Sequence, residues 1–270
     1  MYRLHRYCNI LKAFLTTQQI NQFQQEGFII CPGFLAGQML ETMRQIAVEA
    51  HQNLQLPYEL EAKLGYPGSP SSVNTKGGDT VRRILGAYQR YPEWQNWACS
   101  PAMKQVMQQL FDNLHISITQ VHHNCLMTKS PTYSSDTGWH QDTRYWSFKR
   151  PLLINSWLAL GKEQPDNGGM WVIPGSHLKN YDDDQFDEDI FFRDDLSTNQ
   201  QLIKNAVPVL LEAGDVLFFD ARVLHRASRN LTSETKYALV FSYHETDNLA
   251  VSGSRSSSMP EIDLVMDRIF

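Results

Sequence analysis

Long hydrophobic runs are missing from this 270-residue chain: no stretch approaches the roughly 18 apolar residues that a membrane-spanning helix needs. Excess positive charge is missing too. The formal net charge is −5, which leaves no overall basic field to hold nucleic acid. Cysteine is scarce, and the four present (Cys8, Cys31, Cys99, Cys125) are scattered without a CxxC pair. They read as reduced thiols of a cytoplasmic protein. The opening MYRLHRYCNILKAFLTT contains a short, broken apolar stretch and no small-residue cleavage site, so no secretory signal is expected. The sequon Asn230-Leu231-Thr232 then carries no weight, because glycosylation needs the secretory route. No internal repeat stands out.

What remains is an ordinary globular composition, 42% hydrophobic and 20% charged, without a shift that would mark a linker. A single domain over residues 1–270 is expected, with a helical part to about 113 and a β core over about 115–247. Thr16 and Thr17 precede QQINQFQQEGF, where Ile20, Phe23 and Gln24 share a helical face and Gly27 stops the helix. GFIICPGFL follows as a short strand. Leu40, Met43, Ile46 and Ala47 give residues 38–54 helical spacing. The Gly-, Pro- and Ser-rich 64–80 segment reads as a loop, and 101–113 as a helix with Pro101 in its first turn. Beyond residue 115 short apolar strands alternate with turn signals, including VPVLLEAGDVLFFDARVLH hinged at Ala213-Gly214-Asp215. This spacing points to a mainly β barrel or sandwich with the helices packed outside.

The stretch TGWHQDTRYW (137–146) raises a chemical question. On a strand His140 and Asp142 would point the same way, and burying both is costly unless something pairs with them. His225, ending DVLFFDARVLH, would finish beside them in a rolled barrel. Two histidines and one carboxylate occupy one face of an octahedral ion and leave positions open, the arrangement of non-haem Fe(II) oxygenases. A lone His-X-Asp also arises where both residues satisfy local hydrogen bonds. His122 and His123, adjacent and so on opposite faces of a strand, together with His177 and His244, read as structural or surface residues.

HQD at 140–142, DNGGMWVIPGSH at 166–177, HRASRNLTSETK at 225–236 and the opening LTTQQINQFQQEGFIICPGFL together resemble the phytanoyl-CoA dioxygenase family. The resemblance runs from about residue 15 to 247. It implies a double-stranded β-helix, or jelly roll, an Fe(II) ion held by His140, Asp142 and His225, and 2-oxoglutarate and O₂ as co-substrates. It further implies hydroxylation of an unactivated C–H bond with release of succinate and CO₂. The carboxylate of Asp142 favours hydroxylation over halogenation, because halogenating relatives lack it. The family's arginine for the far carboxylate of 2-oxoglutarate falls eleven residues after the distal histidine, where this chain has Lys236. A lysine offers a point charge but no bidentate fork. Asn230 matches the family. Gln141, Trp157 and Cys125 align with positions lining the co-substrate pocket, and Arg83 with a basic pocket residue, though Trp157 and Cys125 would serve equally as core residues.

For the substrate, Arg144 with its neighbour Tyr145, and Arg222, stand near the ligand positions in sequence. Arginines around one site in an acidic protein suggest a small anionic substrate: a carboxylate, phosphate or acidic sugar. The alternative is that they pair with the acidic tract 182–195, itself either a solvated insertion or a lid carrying Phe186, Phe191 and Phe192. Two other classes stay open: a cupin-like metalloenzyme without 2-oxoglutarate, and a non-catalytic binding protein on the same fold.

Overall fold

The computed structural model describes residues 14–264; Cys8 and nearly all of the segment weighed as a signal lie outside them. Helix α1 (Thr17–Glu26) starts where expected. The Thr16 hydroxyl accepts from the Gln19 amide and the Gln19 side chain returns to the Thr16 amide, a reciprocal cap. Gly27 ends the helix at φ +82°, and a Cβ there would lie 2.4 Å from Val223 and 2.5 Å from His177. Only glycine lets the helix end approach the turn that leads into His225. The other helices are α2 (Gly37–Gln52), α3 (Ala87–Arg90), α4 (Pro92–Ala98), α5 (Pro101–Phe111) and α6 (Ser197–Ile203).

Among the described residues, twelve strands follow in chain order: β1 (Phe28–Cys31), β2 (Tyr58–Leu60), β3 (Val81–Leu85), β4 (Ile116–Lys129), β5 (Thr137–His140), β6 (Ile154–Ala159), β7 (Met170–Val172), β8 (Val207–Pro208), β9 (Val216–Asp220), β10 (His225–Ala227), β11 (Lys236–Glu245) and β12 (Ile262–Asp263). They form two antiparallel sheets, one in the order β1-β9-β6-β11-β4-β3-β2 with β12 added on β4, the other β5-β10-β7-β8. The jelly-roll expectation holds. The part before residue 113 is more mixed than expected, because β2 and β3, as well as the expected β1, extend the large sheet.

Period-2 alternation divides the large sheet between two cores. On β9, Val216 and Phe218 face the helices, packing with Met43, Trp94 and Met103. Leu217 and Phe219 face the small sheet, where they meet Trp157, Met170, Val172 and Val240. A third cluster, Trp139, Ile173, Phe186, Phe192 and Leu224, covers the small sheet's other side. The acidic tract is therefore anchored by two of its phenylalanines, and its charge alone is a poor guide to its place.

Two local expectations are corrected. DVLFFDARVLH is not one strand: β9 stops at Asp220, whose backbone carbonyl accepts the Val223 amide and whose carboxylate accepts the Arg222 amide. That turn carries the chain into the small sheet, where His225 pairs directly with His140. Likewise β5 ends at His140, and Asp142 opens a 3₁₀ turn, Asp142–Tyr145. The turn, not strand alternation, brings the aspartate back beside the histidine.

Candidate active site

His140, Asp142 and His225 converge so that one ligand atom from each lies within 4.8 Å of the others. Nδ1–H of His140 donates to the Gly138 carbonyl at 2.9 Å, and Nδ1–H of His225 to the Val223 carbonyl at 3.0 Å. Each bond fixes a tautomer and leaves Nε2 as a bare lone pair. Those two nitrogens sit 3.7 Å and 3.8 Å from the Asp142 carboxylate. Burial, assisted by His225, pushes His140 down to about 3, and burial lowers His225 as well. Burial opposes ionisation of Asp142, but the charge of His123 and its hydrogen bond outweigh it and hold the carboxyl well below its usual range. Two neutral imidazoles and one carboxylate is a donor set that suits a divalent cation.

The carboxylate is itself gripped. Asp142 Oδ2 accepts from Asn155 at 2.8 Å and from His123 Nε2 at 3.1 Å. His123 is therefore part of the site, contrary to the expectation that it is a bystander. The cause is a bulge: pairing between β11 and β4 jumps from Phe241↔Asn124 to Ser242↔Thr119, leaving residues 120–123 outside the ladder. Freed from strict alternation, both His122 and His123 line the same cavity. Burial works against charging His123, yet Asp142 raises it to about 9.

The cavity, about 180 Å³, holds the three clustered residues in its wall together with Tyr66, Tyr145, Trp146, Trp157 and Phe191. Five basic side chains line it, Arg82, Arg83, Lys129, Lys236 and Arg255, against the single carboxylate of Asp142, so the partners of those bases decide where positive charge is left over. Arg83 pairs with Glu59 through two bonds of 2.6 and 3.0 Å. Arg82 lies 3.6 Å from Glu61. Lys236 donates to Glu163 at 2.8 Å, and the other Glu163 oxygen accepts the Trp157 indole N–H at 2.8 Å. Among the described residues, Lys129 and Arg255 make no ion pair. Lys129, the cross-strand partner of Lys236, gives its ammonium to the Ser135 carbonyl.

Comparison with known proteins places this geometry. The phytanoyl-CoA dioxygenase family profile matches residues 23–238. The chain belongs to the phytanoyl-CoA dioxygenase family. It is a dioxygenase of the non-haem iron(II), 2-oxoglutarate-dependent class, and it carries the ligand set that class requires. The rat phytanoyl-CoA dioxygenase domain-containing protein 1 is 22% identical over 85% of this chain and 90% of its own. A rice protein, phytanoyl-CoA dioxygenase 1, is 25% identical over a shorter match, 51% of this chain and 49% of its own. The crystal structure of EctD from S. alaskensis with 2-oxoglutarate and 5-hydroxyectoine superposes with a TM-score of 0.71 at 17% identity, over 88% of this chain and 78% of the other. That likeness is one of fold.

Set against the family pattern, the sequence-read residues separate into groups. Lys236, Trp157, Arg83 and Tyr145 line the cavity. Cys125 lies wholly buried in the core between the sheets. Gln141 turns its amide to the Arg222 carbonyl, which fixes the turn after His140. Arg144 is held outside the lining by Asp183 at 3.1 Å and the Tyr181 carbonyl at 2.9 Å, and it lies 3.6 Å over the Phe186 ring. Arg222 is locked onto Asp220 at 2.6 Å. Both arginines are thus occupied structurally. Sequence reading missed Lys129, Glu163, Arg255 and His123. Lysines 129 and 236 are 107 positions apart by their numbers, and nothing local announces that they face each other. Phe191 of the acidic tract does reach the cavity, edge-on to His140 at 6.1 Å and to Tyr66 at 5.2 Å. Among the described residues no helix is long and apolar enough to cross a membrane.

Proposed function

We propose that this protein hydroxylates an unactivated C–H bond of a small anionic molecule, using Fe(II), 2-oxoglutarate and O₂. The observation that carries the reading is the pair of bare Nε2 atoms facing one ionised carboxylate, with their tautomers fixed by backbone carbonyls. His140, Asp142 and His225 would hold the iron, and His123 and Asn155 keep the carboxylate oriented. When bound, iron(II) with 2-oxoglutarate supplies oxidative decarboxylation coupled to attack on a C–H bond.

The chain's own residues supply the rest. At one end of the cavity Lys236 and Lys129 receive the far carboxylate of 2-oxoglutarate. Lys236 is already neutralised by Glu163, so a second cation is needed to favour an incoming anion, and Lys129 provides it. The ammonium of Lys236 also sits 5.0 Å from the Trp157 ring centre. Tyr66, Tyr145, Trp146 and Phe191 also line the cavity and give it an aromatic wall that excludes water around the reacting bond. The anionic character of the substrate is supported by the surplus of cations lining the cavity over carboxylates.

Anaerobic addition of Fe(II) and then 2-oxoglutarate should give a visible charge-transfer band, and admitting O₂ should release succinate. Stoichiometric iron binding without any band or succinate would instead favour the cupin-like alternative.

A further inference from the structure

The segment after β11 runs beside the cavity, and one buried side chain ties it to the cavity wall. Ser256, 1% exposed, accepts the Ser147 amide at 2.8 Å and contacts His122 Nε2 at 2.7 Å. Among the described residues its hydroxyl proton has no other acceptor, which assigns the serine as the donor to Nε2. His122 must then carry its own proton on Nδ1. That Nδ1 is buried and without a partner, which is uncommon for a group that costs free energy when left unpaired. Burial first, and the Arg255 charge second, hold His122 neutral down to about 3, so the ring carries no charge of its own at any ordinary pH.

Arg255 is the residue the serine anchor presents. It lines the cavity beside His122, His123 and Trp146, and no carboxylate pairs with it among the described residues, whereas Arg82, Arg83 and Lys236 each have one. Trp146 stacks on His122 at 4.6 Å with 22° between the planes, giving the same corner a flat apolar surface. The corner thus combines a cation, an orphan N–H and an aromatic face.

We propose that Arg255 and His122 form the subsite that binds the substrate's anionic group, a carboxylate or phosphate joined directly to a flat or apolar part that lies against Trp146. This rests on the oxygenase reading above and deepens it: the substrate's anion is read by the C-terminal segment, and Arg144 and Arg222, already paired, take no part. The cation at this corner is an arginine, which offers a planar two-pronged donor matched to a carboxylate or phosphate.

The test uses the full chain loaded anaerobically with Fe(II) and saturating 2-oxoglutarate, so that probes cannot occupy the co-substrate end. Benzoate, phenyl phosphate and neutral benzamide are titrated while tryptophan fluorescence is followed. The two anions should bind and benzamide should bind at least about ten-fold more weakly, the loss expected when a charge-assisted hydrogen bond is absent. Arg255→Ala should weaken both anions about ten-fold and leave benzamide unchanged, with Arg255→Lys in between. Ser256→Ala, which removes the anchor beside Arg255 but keeps the arginine, should weaken the anions too. Whichever of benzoate and phenyl phosphate binds more tightly identifies the anion. Equal binding of benzoate to wild type and Arg255→Ala, or no anion preference in wild type, overturns the subsite. Failure to bind 2-oxoglutarate at all is a different outcome, read before any probe is added, and it overturns the oxygenase reading instead.

Discussion

Lys236 donates to Glu163 across 2.8 Å with both side chains almost fully buried. The residue that stands where the family has an arginine is thus already half of an ion pair. Removing one partner of a buried pair leaves an uncompensated charge, which costs about 3–5 kcal/mol. Lys236→Ala should therefore unfold at clearly lower denaturant concentration as well as bind 2-oxoglutarate more weakly. The double variant Lys236→Met with Glu163→Gln should regain most of the stability and none of the affinity. Lys236→Arg should bind 2-oxoglutarate no more tightly than wild type, because the larger fork must share its space with Glu163 and Trp157. Wild-type unfolding in Lys236→Ala would show that the pair is not buried in solution.

Lys129 should set the pH dependence of co-substrate binding. Burial first, then the neighbouring charges of Arg82 and Lys236, lower it from 10.5 to about 7. In the empty protein it is charged below pH 7 and neutral above, whereas in the unfolded chain it stays charged to about 10.5. Stability linked to this group is therefore full above about 10.5 and lost as pH falls towards 7. A carboxylate needs the charged form, so 2-oxoglutarate should bind more weakly as pH rises from 7 to 9 and should take up a proton on binding. Calorimetry in buffers of different ionisation enthalpy measures that uptake. Lys129→Met should flatten the profile, and an unchanged slope in that variant would remove Lys129 from the site.

Alanine at His140, Asp142 or His225 should each reduce bound Fe(II) well below one per chain and abolish succinate formation, since three ligands are the minimum for holding the ion with open positions. Metal analysis and succinate assay check both. Full iron content and activity in any one variant would break the assignment.

His123 and Asn155 act through Asp142 rather than on the substrate. Asn155→Ala and His123→Ala should weaken metal affinity about ten- to a hundred-fold, the usual effect of removing a partner that orients a ligand. Co(II) titration by absorption reads the affinity directly. His123→Gln, which keeps a donor, should lose less than His123→Ala. Equal losses in the two would point to packing rather than to the hydrogen bond.

Much of this protein was legible in the order of its residues, because the responsible forces act over a few positions. Thr16 with Gln19 caps a helix, Gly27 ends it, and Pro101 starts another; each is satisfied by its near neighbours. Short strands broken by turns announced two stacked sheets, and His-X-Asp with a distant histidine announced a metal site. The elements missed were the short ones, α3, α4, α6, β2, β3 and β12, too brief for periodicity to register. Tertiary structure alone decided the rest. Pairing of β11 with β4 set Lys129 opposite Lys236, and the bulge in that same ladder turned His122 and His123 into one cavity. The sequence put Arg144 and Arg222 forward and passed over Arg255, but Asp183 and Asp220 claimed the first two. A charge is free for a ligand only if no neighbour has neutralised it, and those neighbours are assembled by strand register and chain crossings between residues far apart in the sequence.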